Sequence, residues 1–90
     1  MIIYPIGYEN PVPQSVTRLQ ARLALINAAK WDLIKPIILE MSDPDKSIAL
    51  AWFEDSIYWR RNDPYVVSIS ALIGLSSDDV DNLFIEASSL

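Results

Sequence analysis

"SDPDKSIALAWFEDSIYWRRND", residues 42–63, decides how the whole chain is read. Asp43 can accept from the open amides of a helix's first turn, and Pro44 suits the first helical position, where its missing N–H would have no partner anyway. Asp45 favours the positive end of the helix dipole, and Arg60 and Arg61 suit a last turn. Between them Ile48, Trp52 and Trp59 share one broad stripe, with Ala49, Phe53 and Ile57 beside it. Taken so, the segment is one helix reaching Arg61, and the expectation is an all-α fold.

The flanking segments carry helix punctuation as well. In "NDPYVVSISALIG" Asp63 caps, Pro64 opens and Gly74 stops a helix. The β-branched run from Val66 to Ser70 could pass for a strand, but the bracketing cap, proline and glycine favour helix. "LSSDDV" opens the last helix, with Ser76 and Asp79 forming a capping box and Leu75 and Val80 a hydrophobic staple. Upstream, "TRLQ" is a second capping box, with Thr17 accepting from the Gln20 amide. Leu19, Leu23 and Ile26, and Ala21, Leu25 and Ala28, recur from there at helical spacing to about Ala29. "WDLIKPIILEM" gives a further helix with Asp32 as cap, regular from Leu33 or Lys35 to Met41 because Pro36 must sit in a first turn. The sum is a small bundle of about five short helices, a single helical domain over residues 16–90.

Residues 1–15, "MIIYPIGYENPVPQS", are of another kind. Pro11 and Pro13 fix φ and remove amide donors, so this stretch is an extended N-terminal arm. Ile2, Ile3, Tyr4, Ile6 and Tyr8 make it too apolar for a plain solvated tail.

Composition bounds the chemistry. Ninety residues make one domain, and 51% apolar residues are ample for a core. Cysteine and histidine are both absent, which removes disulfides, thiolate chemistry, and the commonest general base and transition-metal ligand. No apolar run approaches the ~20 residues that span a bilayer, and the start lacks the basic flank of a signal peptide. Through Lys35 the charge is slightly positive, with Arg18, Arg22, Lys30 and Lys35 against Glu9 and Asp32. From Pro36 onward it is strongly acidic, an asymmetry that suits ordinary solvated surface and also self-association.

Three constellations invite a chemical reading. Asp43, Asp45, Ser47 and Glu54 fall at ligand positions of a calcium loop, but Ile48 stands where the loop's sharp turn demands glycine. Asp78, Asp79, Asp81 and Glu86 could hold magnesium or act as acid and base, yet most lie in a helix's first turn, where the dipole already favours them. "VVSISALIGLSSDDVDNLF" has the outline of a helix-turn-helix, but a recognition helix beginning Ser76, Ser77, Asp78, Asp79 would repel phosphate. No catalytic residue, metal ligand or cofactor site is therefore expected, and the glycine turn reads as a helical corner.

"VPQSVTRLQARLALINAAKWDLI" (12–34) and "WFEDSIYWRRNDPYVVSISALIGLSSDDVDNLFIEASSL" (52–90) resemble a group of small phage and prophage proteins. Their shared pattern is T-x-x-Q-A-R-L-A-L, a tryptophan-containing middle helix, R-x-x-P, and a closing A-L-G-L-[ST]-x-x-x-[LV]-D-x-L-F. The matching residues are Thr17, Gln20, Ala21, Arg22, Leu23, Trp52, Arg61, Pro64, Gly74, Leu75, Asp81, Leu83 and Phe84. Pro36 and the aromatic-rich "WFEDSIYW" depart from it. Such proteins are encoded near phage tail and fibre genes, mostly without assigned activity. The resemblance implies a non-enzymatic protein–protein interaction or structural module, cytoplasmic in the host cell or virion-associated. Its partner would be a protein, including a second copy of itself, and not nucleic acid or membrane. Candidate partner-binding residues are Ile3, Tyr4, Ile6 and Tyr8 on the arm, with Trp31, Tyr58 and Trp59 as exposed aromatics. The competing readings are a small DNA-binding regulator of helix-turn-helix type and an enzyme using carboxylates.

Overall fold

The tryptophan-rich stretch changes conformation halfway. In the computed structural model, which describes residues 12–90, the helix that opens this stretch ends at Asp55, and Tyr58–Arg60 is a β-strand. Its partner is Ser15–Thr17, antiparallel, with Ser15 opposite Arg60, Val16 opposite Trp59 and Thr17 opposite Tyr58. The expected all-α fold is corrected to a mostly helical one with a two-stranded ribbon. Two physical causes lie in the sequence. Ser56 closes α3 with its amide on the Trp52 carbonyl, adds its hydroxyl to the same acceptor, and turns its own backbone extended (ψ 133), a local side-chain bond of the kind that competes with helix continuation. Ile57, Tyr58 and Trp59 are β-branched or aromatic, the types that fit a pleated surface.

Along the chain the elements are β1 (Ser15–Thr17), α1 (Arg18–Asn27), a 3-10 turn (Trp31–Leu33), α2 (Ile34–Leu39), α3 (Asp45–Asp55), β2 (Tyr58–Arg60), α4 (Pro64–Leu72) and α5 (Ser77–Ala87). β1 runs straight into α1, whose capping box is formed as read: the Gln20 amide donates to Thr17 Oγ1 over 3.1 Å and the Thr17 amide to Gln20 Oε1 over 2.9 Å. α1 closes through Ala29 in the left-handed region (φ 57), with the Lys30 amide reaching the Leu25 carbonyl. Asp32 makes no cap; the 3-10 turn and α2 both begin without a side-chain hydrogen bond. Pro36 stands in the first turn of α2, where its lack of an amide costs no bond.

Pro44, not Asp43, is the N-cap of α3. Asp43 still binds the helix start, accepting from Ser47 Oγ at 2.7 Å and from the Ser47 amide at 3.2 Å. The inward face of α3 is Ala49 and Phe53, with Trp52 half-buried, while Ile48 is exposed. α4 is capped by Asp63, which accepts from the Tyr65 amide at 2.8 Å, and ends at Gly74 (φ 85). α5 opens on the Ser76–Asp79 capping box.

All buried side chains among the described residues are apolar. α1 packs on α5, the ribbon lies along α1, and Val16 and Trp59 enter the core from the same face of the ribbon. Arg61 ties the ribbon's end to α5: its Nε donates to Asp81 at 2.6 Å and its Nη2 to Ser77 Oγ at 3.0 Å. Near the centre a cavity of about 40 Å³ remains, walled by side chains such as Leu25, Trp59, Ile69 and Phe84.

Candidate partner-binding surface

Alternation in β2 separates the aromatic candidates. Successive strand side chains point to opposite faces, so Trp59 turns inward, 5% exposed, while Tyr58 turns outward, 61% exposed. Trp59 is thus a core residue, a correction to its place among the exposed aromatics. It stacks on Trp52 with ring centroids 4.6 Å apart, and Trp52 stacks in turn on Tyr65 at 5.3 Å. The indole N–H groups of Trp52 and Trp59 are buried and have no acceptor among the described residues. Each leaves an uncompensated desolvation cost, offset by the area the large rings bury.

Trp31 lies between the two extremes. It opens the 3-10 turn half-buried, stacked on Phe53 at 5.0 Å and on Trp59 at 6.1 Å. Its ring has the Arg18 guanidinium 5.5 Å and the Arg22 guanidinium 5.3 Å from its centroid. Arg18 is fixed further by donating from Nε to the Phe53 carbonyl at 2.6 Å. The structure therefore brings Trp31 and Trp59 into one aromatic stack capped by two cations, and sends Tyr58 elsewhere. Ile3, Tyr4, Ile6 and Tyr8 lie outside the described residues.

Two apolar surfaces stand out that were not singled out from the sequence. Ile57, next to Tyr58, is 74% exposed at the ribbon corner, where its carbonyl accepts from the Arg18 amide. On α1, Leu19, Leu23 and Ile26 are exposed to 63%, 39% and 48%, while Ala21, Ala24 and Leu25 form the buried face. The signal for the second surface was present. At ~100° per residue the two triplets centre on opposite sides of the helix, so only one could meet the core.

The acidic residues are dispersed among structural partners. Asp79 serves the capping box, Asp81 holds Arg61, and Glu86 accepts from Asn27 Nδ2 at 3.4 Å. Donation from the Ser76 amide holds the Asp79 carboxyl below the usual carboxylate range, and the Ser47 hydroxyl does the same for Asp43. Among the described residues no three His, Cys, Asp or Glu side chains group in a way that could hold a metal ion. An open groove of about 340 Å³ with a mixed lining runs between the end of α1 and α5, bordered by Lys30, Asp79 and Glu86 and by Ala28, Leu75 and Leu83. No helix among the described residues is long and apolar enough to cross a membrane. No protein-family model matches the chain, and no curated protein or solved structure is significantly similar to it.

Proposed function

We propose that the protein is a non-enzymatic protein–protein interaction or structural module of a phage or prophage, held in the host cytoplasm until it joins a tail or fibre assembly. The observation that carries the binding role is the pair Ile57 and Tyr58, two neighbouring large side chains at 74% and 61% exposure on hydrogen-bonded backbone. Large apolar and aromatic groups presented on rigid backbone lose little entropy when a partner covers them, which is how interface anchors act. The half-buried Trp31, with its two arginines, offers an amphipathic neighbour of the kind enriched at interfaces. The phage assignment is supported by the resemblance carried on Thr17–Leu23 and Gly74–Phe84.

A duplex-binding role is the weaker reading. The first turn of α5 presents Asp78 and Asp79 where a recognition helix would meet phosphate, and like charges there oppose binding. The test is fractionation of the chain during lytic growth of the phage or prophage that encodes it. Co-sedimentation with tail or fibre assemblies is expected for the native chain, and loss of it for Ile57→Glu and Tyr58→Glu variants that keep their helical circular dichroism. Recovery of the native chain only as free protein overturns the proposal.

A further inference from the structure

The two edges of the ribbon differ in what their backbone groups meet. Opposed residues in an antiparallel pair alternate between exchanging bonds with each other and turning their amides and carbonyls outward. The Arg18 amide donates to the Ile57 carbonyl and the Arg61 amide to the Gln14 carbonyl, with Val16 opposite Trp59 midway between. Tyr58 and Arg60 fall on the other phase, so they aim their backbone groups away from β1. Among the described residues the Arg60 carbonyl accepts from the Asp63 amide, whereas the Tyr58 amide, the Tyr58 carbonyl and the Arg60 amide have no partner. Both residues are exposed. On the β1 side the Thr17 amide is taken by Gln20 Oε1, and the chain continues directly into α1.

We infer that the open edge of β2 pairs antiparallel with the same edge of a second copy, about a dyad at Trp59, joining two ribbons into one sheet. Given that Ile57 and Tyr58 belong to a binding site, as proposed above, the partner of that site is then another β2. Free amides and a free carbonyl at strand spacing are satisfied together by one more extended strand, which is the chemistry of edge addition. The length of the edge selects the strand. Before it, the Ser56 amide closes α3; after it, the Asp63 amide closes a turn onto Arg60. A long extended peptide would run past both ends, whereas β2 stops after the same residues, Tyr58–Arg60.

Side chains select the register. With the dyad at Trp59, Tyr58 lies opposite Arg60 of the second copy, and each residue's amide meets the other's carbonyl. Arg60 forms no ion pair among the described residues, and this register sets its guanidinium beside a tyrosine ring, where cation and aromatic face attract. A dyad at Arg60 would place the two arginines directly opposite, an unfavourable like-charge pair. A dyad at Tyr58 would require the Ser56 amide to bond across, and the Trp52 carbonyl already holds it. So short an edge buries little area, which makes the association weak and dependent on concentration.

Amide exchange of the purified native chain, followed by NMR over about a hundredfold range of concentration, reads the edge directly. The Tyr58 and Arg60 amides are expected to exchange more slowly as concentration rises, in step with a shift to dimer in sedimentation velocity. The Trp59 amide, bonded within the ribbon, should stay protected throughout. Fast exchange at Tyr58 and Arg60 at every concentration overturns the pairing. Slow exchange that ignores concentration assigns the edge to the chain's own residues, and a dimer that leaves both amides fast uses another surface; each of these results overturns it as well. Arg60→Pro is a second check, because an outward-facing edge position tolerates proline and the ribbon does not use the deleted amide. This variant is expected to keep Trp59 protected and to stay monomeric at the highest concentration, and a persisting dimer overturns the pairing. Where the variant fails to fold, the native series decides alone. No phage component is present in these measurements, so their failure and that of the co-sedimentation test are told apart.

Discussion

The ribbon and the α4–α5 corner are made by opposite means. The corner is specified within itself: Asp63 caps α4, Gly74 turns the chain, and Ser76 with Asp79 opens α5, every bond spanning a few residues. The ribbon joins Ser15–Thr17 to Tyr58–Arg60 across about half of the chain, and its inward side chain, Trp59, is held by Val16 and by rings from the 3-10 turn and α3. A local motif survives any reading of its surroundings. A ribbon three residues long is stable only because tertiary packing supports it.

The largest effect that could break this contrast is on Trp59. Trp59→Ala should cost about 3–5 kcal/mol, because it removes a buried ring beside an existing cavity and withdraws the ribbon's anchor. Tyr58→Ala, one residue away and exposed, should change stability by no more than about 0.5 kcal/mol. Urea denaturation of the two variants measures the difference; similar losses would mean that the strand does not alternate in and out as described.

This contrast also explains what could be read from residues alone. The caps at Thr17, Asp63 and Ser76, the stop at Gly74 and the first-turn place of Pro36 are decided by chemistry within four residues, and each is visible in sequence. The strand at Tyr58–Arg60 is not, because Trp52 and Trp59 stand seven apart, a spacing that serves a helical stripe as well as a helix followed by an inward strand residue. Ser56 and the β-formers after it lean toward a strand, but they need a partner, and Val16, far away in sequence, supplies it. The burial of Trp59 and the exposure of Ile57 follow from that pairing, so the aromatic part of the candidate surface was legible in residue type but not in direction. The α1 stripe was legible in spacing, and its exposure depended on which face met α5.

The caps sharpen the comparison at a smaller scale. Thr17→Ala, at the ribbon–helix junction, and Asp63→Ala, at the start of α4, should each cost about 0.5–2 kcal/mol. If the ribbon depends on how α1 starts, Thr17→Ala should also weaken amide protection at Trp59, whereas Asp63→Ala should leave it intact. Hydrogen exchange followed by NMR distinguishes the two patterns, and equal loss of protection at Trp59 would make the regions one cooperative unit.

Acid should act on the corner. The Asp79 carboxyl is held below its ordinary range in the folded state, chiefly by the Ser76 amide. A depressed folded value means that its stabilisation is fully present above the unfolded value of ~3.9 and fades as pH falls through the lower folded value. The melting temperature should therefore drop below about pH 4, and the gap between the native chain and Asp79→Asn should narrow there. A gap that stays constant from pH 7 to pH 3 would show that Asp79 charge plays no part in the cap.

The smallest effect tests the one place where ribbon side and corner share a device. α1 and α4 end alike: the Lys30 amide donates to the Leu25 carbonyl at 2.8 Å, and the Leu75 amide to the Ser70 carbonyl at 2.9 Å. The residue between helix and closing bond is left-handed in both, φ 57 at Ala29 and φ 85 at Gly74. An L-residue there carries ~1–2 kcal/mol of backbone strain that glycine avoids, while glycine loses ~0.5–1 kcal/mol more chain entropy on folding. Ala29→Gly should thus stabilise the protein by about 0.5 kcal/mol. Gly74→Ala should destabilise it by a similar or larger amount, and through the backbone alone, since a Cβ at Gly74 meets nothing within 4 Å. Opposite signs in paired thermal melts are the expected result. If Ala29→Gly destabilises instead, the methyl group of Ala29 must be supporting the end of α1, and the two helix ends differ in what holds them.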